Sequence, residues 1–160
     1  MPRDLCCTEP DVAPALGAGT PLLAASGHPT RPMMDVLLVE DDVLVRECLG
    51  EALSDAGWRV SEAAGATEAL DRMATNGMPG VLVADMALGR GMSGLALIVA
   101  VHLRWPEAGA VLISGTDMAE PTLDPGDRFL RKPFDVDTLN RAVLELAGRQ
   151  GTGNLDHAIP

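Results

Sequence analysis

The sequence predicts an α/β protein in which helices cover both faces of a parallel β-sheet, and three observations support this fold class. Short apolar runs, such as "VLLV" at residues 36–39, have the character of strands that are buried on both faces. Segments with apolar residues at helical spacing lie between these runs. Strands that alternate with helices require right-handed crossovers, which make the strands parallel and place helices on both faces of the sheet.

The individual elements follow from the same patterns. Strands are predicted for the segments "VLLV", "WRVSEA", "GVLVAD", "AVLIS" and "RFLRK". Helices are predicted for residues 44–53 and for the segments "ATEALDRMAT", "GLALIVAVHLRW" and "DVDTLNRAVLELAG". Gly57 suits the end of the first helix, Thr67 is expected to cap the second, and Pro106 ends the third.

Composition and charge exclude several classes of function. The net charge is −11 and no run of Lys and Arg occurs, which argues against direct contact with nucleic acid. No window approaches the roughly 18 to 20 apolar residues of a membrane span. The three cysteines, Cys6, Cys7 and Cys48, lack metal-ligand spacing and are odd in number, so we expect no disulfide framework and a reducing, cytoplasmic setting.

The predicted folded domain covers residues 34–149. Residues 1–33 are rich in Pro, Gly, Ala and Thr without a sustained period, which is typical of a disordered extension. An equally good explanation is that Met33 or Met34 is the true start of the chain. Residues 150–160 are predicted to form a flexible tail.

Polar residues stand at the carboxyl ends of four predicted strands. Three consecutive acids occupy residues 40–42, and Asp85, Ser114 and Lys132 end three other strands. In open α/β sheets the ligand site lies beyond the carboxyl ends of the strands. Separate strands therefore deliver carboxylates, a hydroxyl and an amine to one edge, which predicts a functional site there.

The chemistry of this site follows from its charges. Acids that share a small pocket repel one another, and a divalent cation relieves that repulsion. Oxygen ligands without a nearby His or Cys favour Mg²⁺ over zinc or iron. Asp85 can then serve as a nucleophile toward a phosphoryl group, with Lys132 holding one phosphoryl oxygen and Ser114 donating a hydrogen bond to another.

Each of these residues alone has a simpler explanation. Acids at residues 40–42 are favoured at the start of a helix by the helix dipole. Asp85 alone could be a turn residue, Lys132 a solvated lysine, and Ser114 a turn hydroxyl that bonds its own backbone. Their appearance together at the ends of successive strands favours a shared site.

The motifs "VLLVEDD", "VLVAD", "VLIS" and "FLRKPF" occur in this order over residues 34–149. Together they resemble the receiver domain of two-component response regulators, the CheY-like family. The resemblance implies a flavodoxin-like, doubly wound sheet of five parallel strands. It also implies Mg²⁺-dependent transfer of a phosphoryl group from a sensor histidine kinase or a histidine phosphotransfer protein, which switches a surface that binds a downstream protein target.

The resemblance assigns a role to each matching residue. It implies that Asp85 is the phosphoacceptor, that Lys132 pairs with the phosphoryl group before a cis bond to Pro133, and that Ser114 and Phe129 form the switch. The metal ligands that it implies are Glu40, Asp41, Asp85 and the backbone carbonyl of Ala87.

This sequence departs from the family pattern in three places. The segment "MALGRGMSG" after Asp85 is one residue longer than the usual turn. The stretch from Ser114 to Lys132 is short by about one helical turn and contains Pro121 and Pro125, so we predict that the helix between the fourth and fifth strands is shortened or missing. No DNA-binding or enzymatic domain follows residue 149, which predicts a stand-alone regulator.

Two other classes of protein stay open from the residues alone. A phosphatase of the haloacid-dehalogenase type also uses an Asp nucleophile with Mg²⁺, but Ala87 stands where such enzymes carry a second acid. A degenerate receiver that binds partners without phosphorylation is the other alternative, against which the complete set of acids and Lys132 argues.

Overall fold

The computed structural model describes residues 35–115 and 121–150. The predicted N-terminal extension at residues 1–33 and almost all of the predicted tail lie outside these ranges. Within them, no helix is long and apolar enough to cross a membrane. The elements follow one another in the order β1 (Asp35–Val39), α1 (Val43–Asp55), β2 (Arg59–Ala63), α2 (Ala66–Asn76), β3 (Val81–Asp85), α3 (Gly94–Arg104), β4 (Gly109–Ser114), β5 (Arg128–Arg131) and α4 (Val136–Gln150).

The five strands form one parallel sheet with the order β2-β1-β3-β4-β5. This order confirms the predicted flavodoxin-like, doubly wound architecture. The chain moves outward from β1 in opposite directions, first to β2 and later to β3. A crevice therefore opens between the carboxyl ends of β1 and β3, where such folds bind ligands.

The core has two halves because strand side chains alternate between the faces of the sheet. Leu37 and Val39 point to one face, where they pack with buried residues of α2 and α3. Val36 and Leu38 point to the other face and pack with buried residues of α1 and α4. Aliphatic side chains and Met73 fill both halves, as the low aromatic content of the sequence requires.

The connection from β4 to β5 contains no helix in its described residues, 115 and 121–127. A turn forms near its end, where the backbone N–H of Asp127 donates to the carbonyl of Asp124 at 2.9 Å. The prediction of a shortened or missing helix between these strands is confirmed. The segment is short and contains Pro121 and Pro125, which disfavour a helix.

The helix ends agree with the sequence except at α2. Asp42 is the N-cap of α1, because its carboxylate accepts hydrogen bonds from the backbone N–H groups of residues 44 and 45. The predicted Thr67 cap is wrong: α2 begins after Gly65, which has no side-chain cap. Glu68 compensates by accepting a hydrogen bond from the backbone N–H of Ala64 at 2.9 Å.

Candidate functional site

Glu40 follows β1 directly and carries a buried carboxylate, with 3% of the residue exposed. Its backbone N–H donates to the carbonyl of Ala63 at 3.2 Å, which extends the pairing with β2. Its own carbonyl accepts a hydrogen bond from Arg46 Nη1 at 2.7 Å. The end of β1 is therefore fixed on both sides, and the side chain is directed into the sheet edge.

Asp85 is the last residue of β3 and is 6% exposed. Its Oδ2 accepts a hydrogen bond from the backbone N–H of Ala87 at 2.7 Å, which leaves Oδ1 for other partners. The loop after Asp85 returns so closely that Gly94 lies against the carbonyl of Asp85, where a Cβ would collide with it. Glycine at the start of α3 is therefore required for the loop to close over the site.

Lys132 joins these two carboxylates. Its Nζ lies 2.6 Å from Asp85 Oδ1 and 3.1 Å from Glu40 Oε2. Its backbone N–H donates to the carbonyl of Ser114 at 2.8 Å, and the Lys132–Pro133 bond is cis, as the resemblance implied. Lys132 is also the only lysine of the chain, whose other basic residues are all arginine or histidine. A compact ammonium fits between two close carboxylates better than a planar guanidinium.

The electrostatics of the site favour a cation. Burial raises the pKa of Glu40, and the nearby charge of Asp85 raises it further, while Lys132 opposes both effects. Burial would lower the pKa of Lys132, but its hydrogen bonds to Asp85 and Glu40 outweigh that effect and raise it. The ammonium of Lys132 thus neutralises only one of two buried carboxylate charges, and a net negative charge remains in the pocket.

Asp41 lies at the rim of the site and is exposed. Its Oδ2 faces the loop after β3, where a Cβ on Gly89 would come within 3.0 Å of it. Glu40, Asp41 and Asp85 therefore do not form a closed triad here. In the described ranges, three potential ligand atoms come within 4.8 Å of one another only at His102, Asp124 and Asp127, which lie elsewhere.

The donor atoms nevertheless fit Mg²⁺. This ion takes one or two protein carboxylates and keeps several waters, so a closed cage of protein ligands is not needed. Glu40 and Asp85 offer buried carboxylate oxygens that repel each other, and Asp41 stands beside them on the solvent side. Ala87 is held against Asp85 by its backbone N–H, which places that peptide segment at the site.

The two residues assigned to the switch lie on β4 and β5. Ser114 ends β4 and is 1% exposed, and its carbonyl receives the hydrogen bond from Lys132. Phe129 pairs with Leu112 across the strands and is partly buried against the core half that α2 and α3 cover. Ser114 lies beside Lys132, and Phe129 lies earlier on β5; their role as a switch stays a prediction.

Sequence reasoning missed Arg46, which holds the turn after β1. Besides its bond to the carbonyl of Glu40, it pairs with Glu62 on β2 at 3.5 Å. Its place one turn into α1, on the side of the helix that faces the end of β1, is the signal that could have revealed it. His102 was also assigned no role, although it lies between two carboxylates.

Comparisons with known proteins agree with this geometry. The family model described as "Response regulator receiver domain" matches residues 36–144. The DNA-binding transcriptional regulator NtrC of Klebsiella pneumoniae is 34% identical over 125 residues, which are 73% of this chain and 26% of that protein. The C4-dicarboxylate transport transcriptional regulatory protein DctD of Rhizobium meliloti is 33% identical over 108 residues, 65% of this chain and 23% of that protein. The chain thus spans about a quarter of the length of these relatives.

Solved structures show the same fold. The receiver domain of NtrX from Brucella abortus is 28% identical with a TM-score of 0.62, and the match covers 71% of this chain and 98% of that one. A response regulator receiver protein from Sinorhizobium medicae has a TM-score of 0.68 at 23% identity, covering 73% and 96%. The family match, the sheet order and the acidic pocket closed by Lys132 agree, and the chain belongs to the receiver domain family of two-component response regulators.

Proposed function

We propose that Asp85 accepts a phosphoryl group from a phosphohistidine of a sensor histidine kinase or a histidine phosphotransfer protein, in a reaction that requires Mg²⁺. The observation that carries the proposal is the contact of Lys132 with both Asp85 and Glu40. Structural ion pairs also occur in proteins, but here the pair lies at the carboxyl ends of parallel strands, where doubly wound folds bind ligands.

The chain's own residues supply position and charge for the transfer. Asp85 Oδ1, which faces Lys132, is the attacking oxygen; an O–P bond forms while the N–P bond of the donor histidine breaks, and the imidazole nitrogen keeps the electron pair. Lys132 then follows the negative charge from the carboxylate to a phosphoryl oxygen. Mg²⁺, when bound by Glu40, Asp41, Asp85 and the carbonyl of Ala87, would offset the charge on the transferring oxygens.

The acyl phosphate would act on a surface through Ser114. Its buried position at the end of β4, beside Lys132, suits a hydroxyl that donates to a phosphoryl oxygen. Such a bond would bias two arrangements of the β4–β5 region and of Phe129 on β5, and thereby a surface that binds a downstream protein. Autodephosphorylation, by water attack on the same phosphoryl group, would end the signal.

The test needs no cognate kinase, because acetyl phosphate is a small-molecule donor. The full chain is incubated with acetyl phosphate and Mg²⁺, and intact-mass measurement counts phosphoryl groups. We expect one hydroxylamine-sensitive group on the wild type, none after chelation of Mg²⁺, and none on Asp85→Asn. Asp71→Asn, which changes an exposed carboxylate on α2, is the matched control and should be labelled like the wild type.

The outcome separates the proposal from its alternatives. Equal labelling of Asp85→Asn and wild type would contradict the assignment of the acceptor. A folded wild type that takes no label from acetyl phosphate or from any phosphorylated kinase would support a receiver that binds partners without phosphorylation. Steady Asp85-dependent turnover of a phosphomonoester would support a phosphatase.

A further inference from the structure

A second cluster of potential metal ligands lies at the opposite edge of the sheet from Asp85. His102 is in the last turn of α3, and Asp124 and Asp127 lie in the connection just before β5. Because β4 and β5 begin at this edge, the cluster is separated from the proposed phosphorylation site by the length of the strands. The three side chains line one cleft of about 830 Å³.

His102 lies between the two carboxylates. Its Nδ1 is 2.9 Å from Asp124 Oδ2, and its Nε2 is 3.4 Å from Asp127 Oδ1 and 3.1 Å from the carbonyl of Ala108. One ligand atom from each of the three residues lies within 4.8 Å of the other two. Ligand atoms about 2.0–2.2 Å from a common ion lie roughly 3–4 Å apart. An ion takes only one imidazole nitrogen, so one of the two carboxylates must shift toward that nitrogen to complete the set.

Asp127 provides a second observation that is independent of these distances. Its side chain is 1% exposed, and its Oδ1 accepts a hydrogen bond from the backbone N–H of Ala110 at 3.0 Å. Its Oδ2 is buried and has no hydrogen-bond partner among the described residues. Buried carboxylate oxygens are nearly always satisfied, so this one needs an explanation, and a cation in the cleft supplies it.

We propose that His102, Asp124 and Asp127 bind one divalent first-row transition metal ion, such as Zn²⁺. An imidazole combined with carboxylates suits these ions, whereas Mg²⁺ and Ca²⁺ prefer oxygen ligands alone. Asp127 is the buried ligand, and Asp124 is the exposed ligand, with 70% of its side chain exposed. The exposed side of the ion keeps coordination positions for water. The bound ion joins the end of α3 to the described segment that leads into β5.

The test is a Zn²⁺ titration of the chelator-treated full chain in excess Mg²⁺, which occupies the oxygen-only site near Asp85. All proteins carry serine in place of Cys6, Cys7 and Cys48, so that thiols do not bind the probe. We expect one Zn²⁺ per chain, and binding at least about 10-fold weaker for His102→Gln and for Asp124→Asn. His28→Gln and His157→Gln, at histidines outside the described ranges, are the matched controls and should keep the wild-type Kd.

The imidazole NMR signals of the three histidines provide a second measurement that needs no variant. Zn²⁺ should shift the His102 signals and leave those of His28 and His157 in place. Equal Kd values for His102→Gln and wild type would overturn the proposal. So would His102 signals that Zn²⁺ leaves unshifted, because the three residues would then form a hydrogen-bonded cluster without metal. Neither outcome would affect phosphorylation of Asp85, which is measured separately.

Discussion

Replacing Lys132 by methionine removes the ammonium that two buried carboxylates share while keeping a side chain of similar length. Nζ lies 2.6 Å from Asp85 and 3.1 Å from Glu40, so the variant leaves both carboxylates without their common partner. Truncating one member of a buried ion pair costs about 3–5 kcal/mol. Because 31% of the lysine side chain is exposed, solvent screens part of this loss, and we expect about 2–3 kcal/mol.

Chemical and thermal unfolding in the presence of a chelator measure this change. For a domain of this size, the expected loss corresponds to a decrease in Tm of about 10 °C. Arg141→Met, at an exposed position of α4, is the matched control and should change the free energy of unfolding by less than about 0.5 kcal/mol. Adding Glu40→Gln to Lys132→Met should recover much of the loss, because only one buried charge then remains.

The pH dependence gives a second check on Lys132→Met. The pKa of Glu40 is raised in the folded protein, so its carboxyl group binds a proton more tightly there than in the unfolded chain. The stability that this proton contributes is present below the ordinary pKa of 4.5 and is lost as the pH rises through the folded value. The defect of the variant should therefore shrink at acidic pH. A loss below about 1 kcal/mol that depends neither on pH nor on Glu40 would refute the argument that the ammonium holds the two carboxylates together.

Three further predictions concern the support of the sheet and its loops. Gly94→Ala should cost at least about 2 kcal/mol in unfolding assays and reduce labelling by acetyl phosphate, since the new Cβ would meet the carbonyl of Asp85. Glu68→Gln should cost about 0.5 kcal/mol at neutral pH. The hydrogen bond from the backbone N–H of Ala64, and secondly that from Arg72, lowers the pKa of Glu68. The contribution of Glu68 to stability is therefore present above pH 4.5 and is lost as the pH falls through the lowered pKa. Equal unfolding curves for both proteins at neutral pH would contradict this prediction. Trp58→Phe removes the 2.6 Å hydrogen bond to Asn140 Oδ1, which joins the chain after α1 to helix α4. Urea unfolding should show that the free energy of unfolding falls by about 1 kcal/mol. No change would mean that water replaces the bond.

The fold and the pair of residues at the centre of the site could be predicted because their signals are local. Apolar runs of strand length specify buried strands, and the parallel arrangement brings their carboxyl ends to one edge. Asp85 and Lys132 are 47 residues apart in sequence, yet each directly ends a strand or follows one, so their contact follows from topology. The signal for the connection from β4 to β5, whose described residues contain no helix, was equally local, since the segment is short and contains two prolines.

The orientation of individual side chains could not be predicted from the sequence. Glu40 and Asp41 are adjacent acids, but the first is buried and the second is exposed, because the chain leaves β1 and turns into α1 between them. Thr67 was expected to cap α2, but the backbone enters the helix two residues earlier, at Gly65. The cluster around His102 has no sequence spacing of its own, because the short connection before β5 brings Asp124 and Asp127 to α3 only in the folded protein.

The charges of the pocket explain why a divalent cation belongs to the proposed reaction. With Lys132 protonated, the carboxylates of Glu40, Asp41 and Asp85 leave a net of two negative charges at the carboxyl edge of the sheet. A phosphoryl group on Asp85 replaces one negative charge by nearly two, so the pocket would then carry about three. Burial of Glu40 makes that excess more costly than it would be in water. The single positive charge of Lys132 cannot offset the negative charge of the phosphorylated pocket. The acyl phosphate should therefore form only when a divalent cation is bound there.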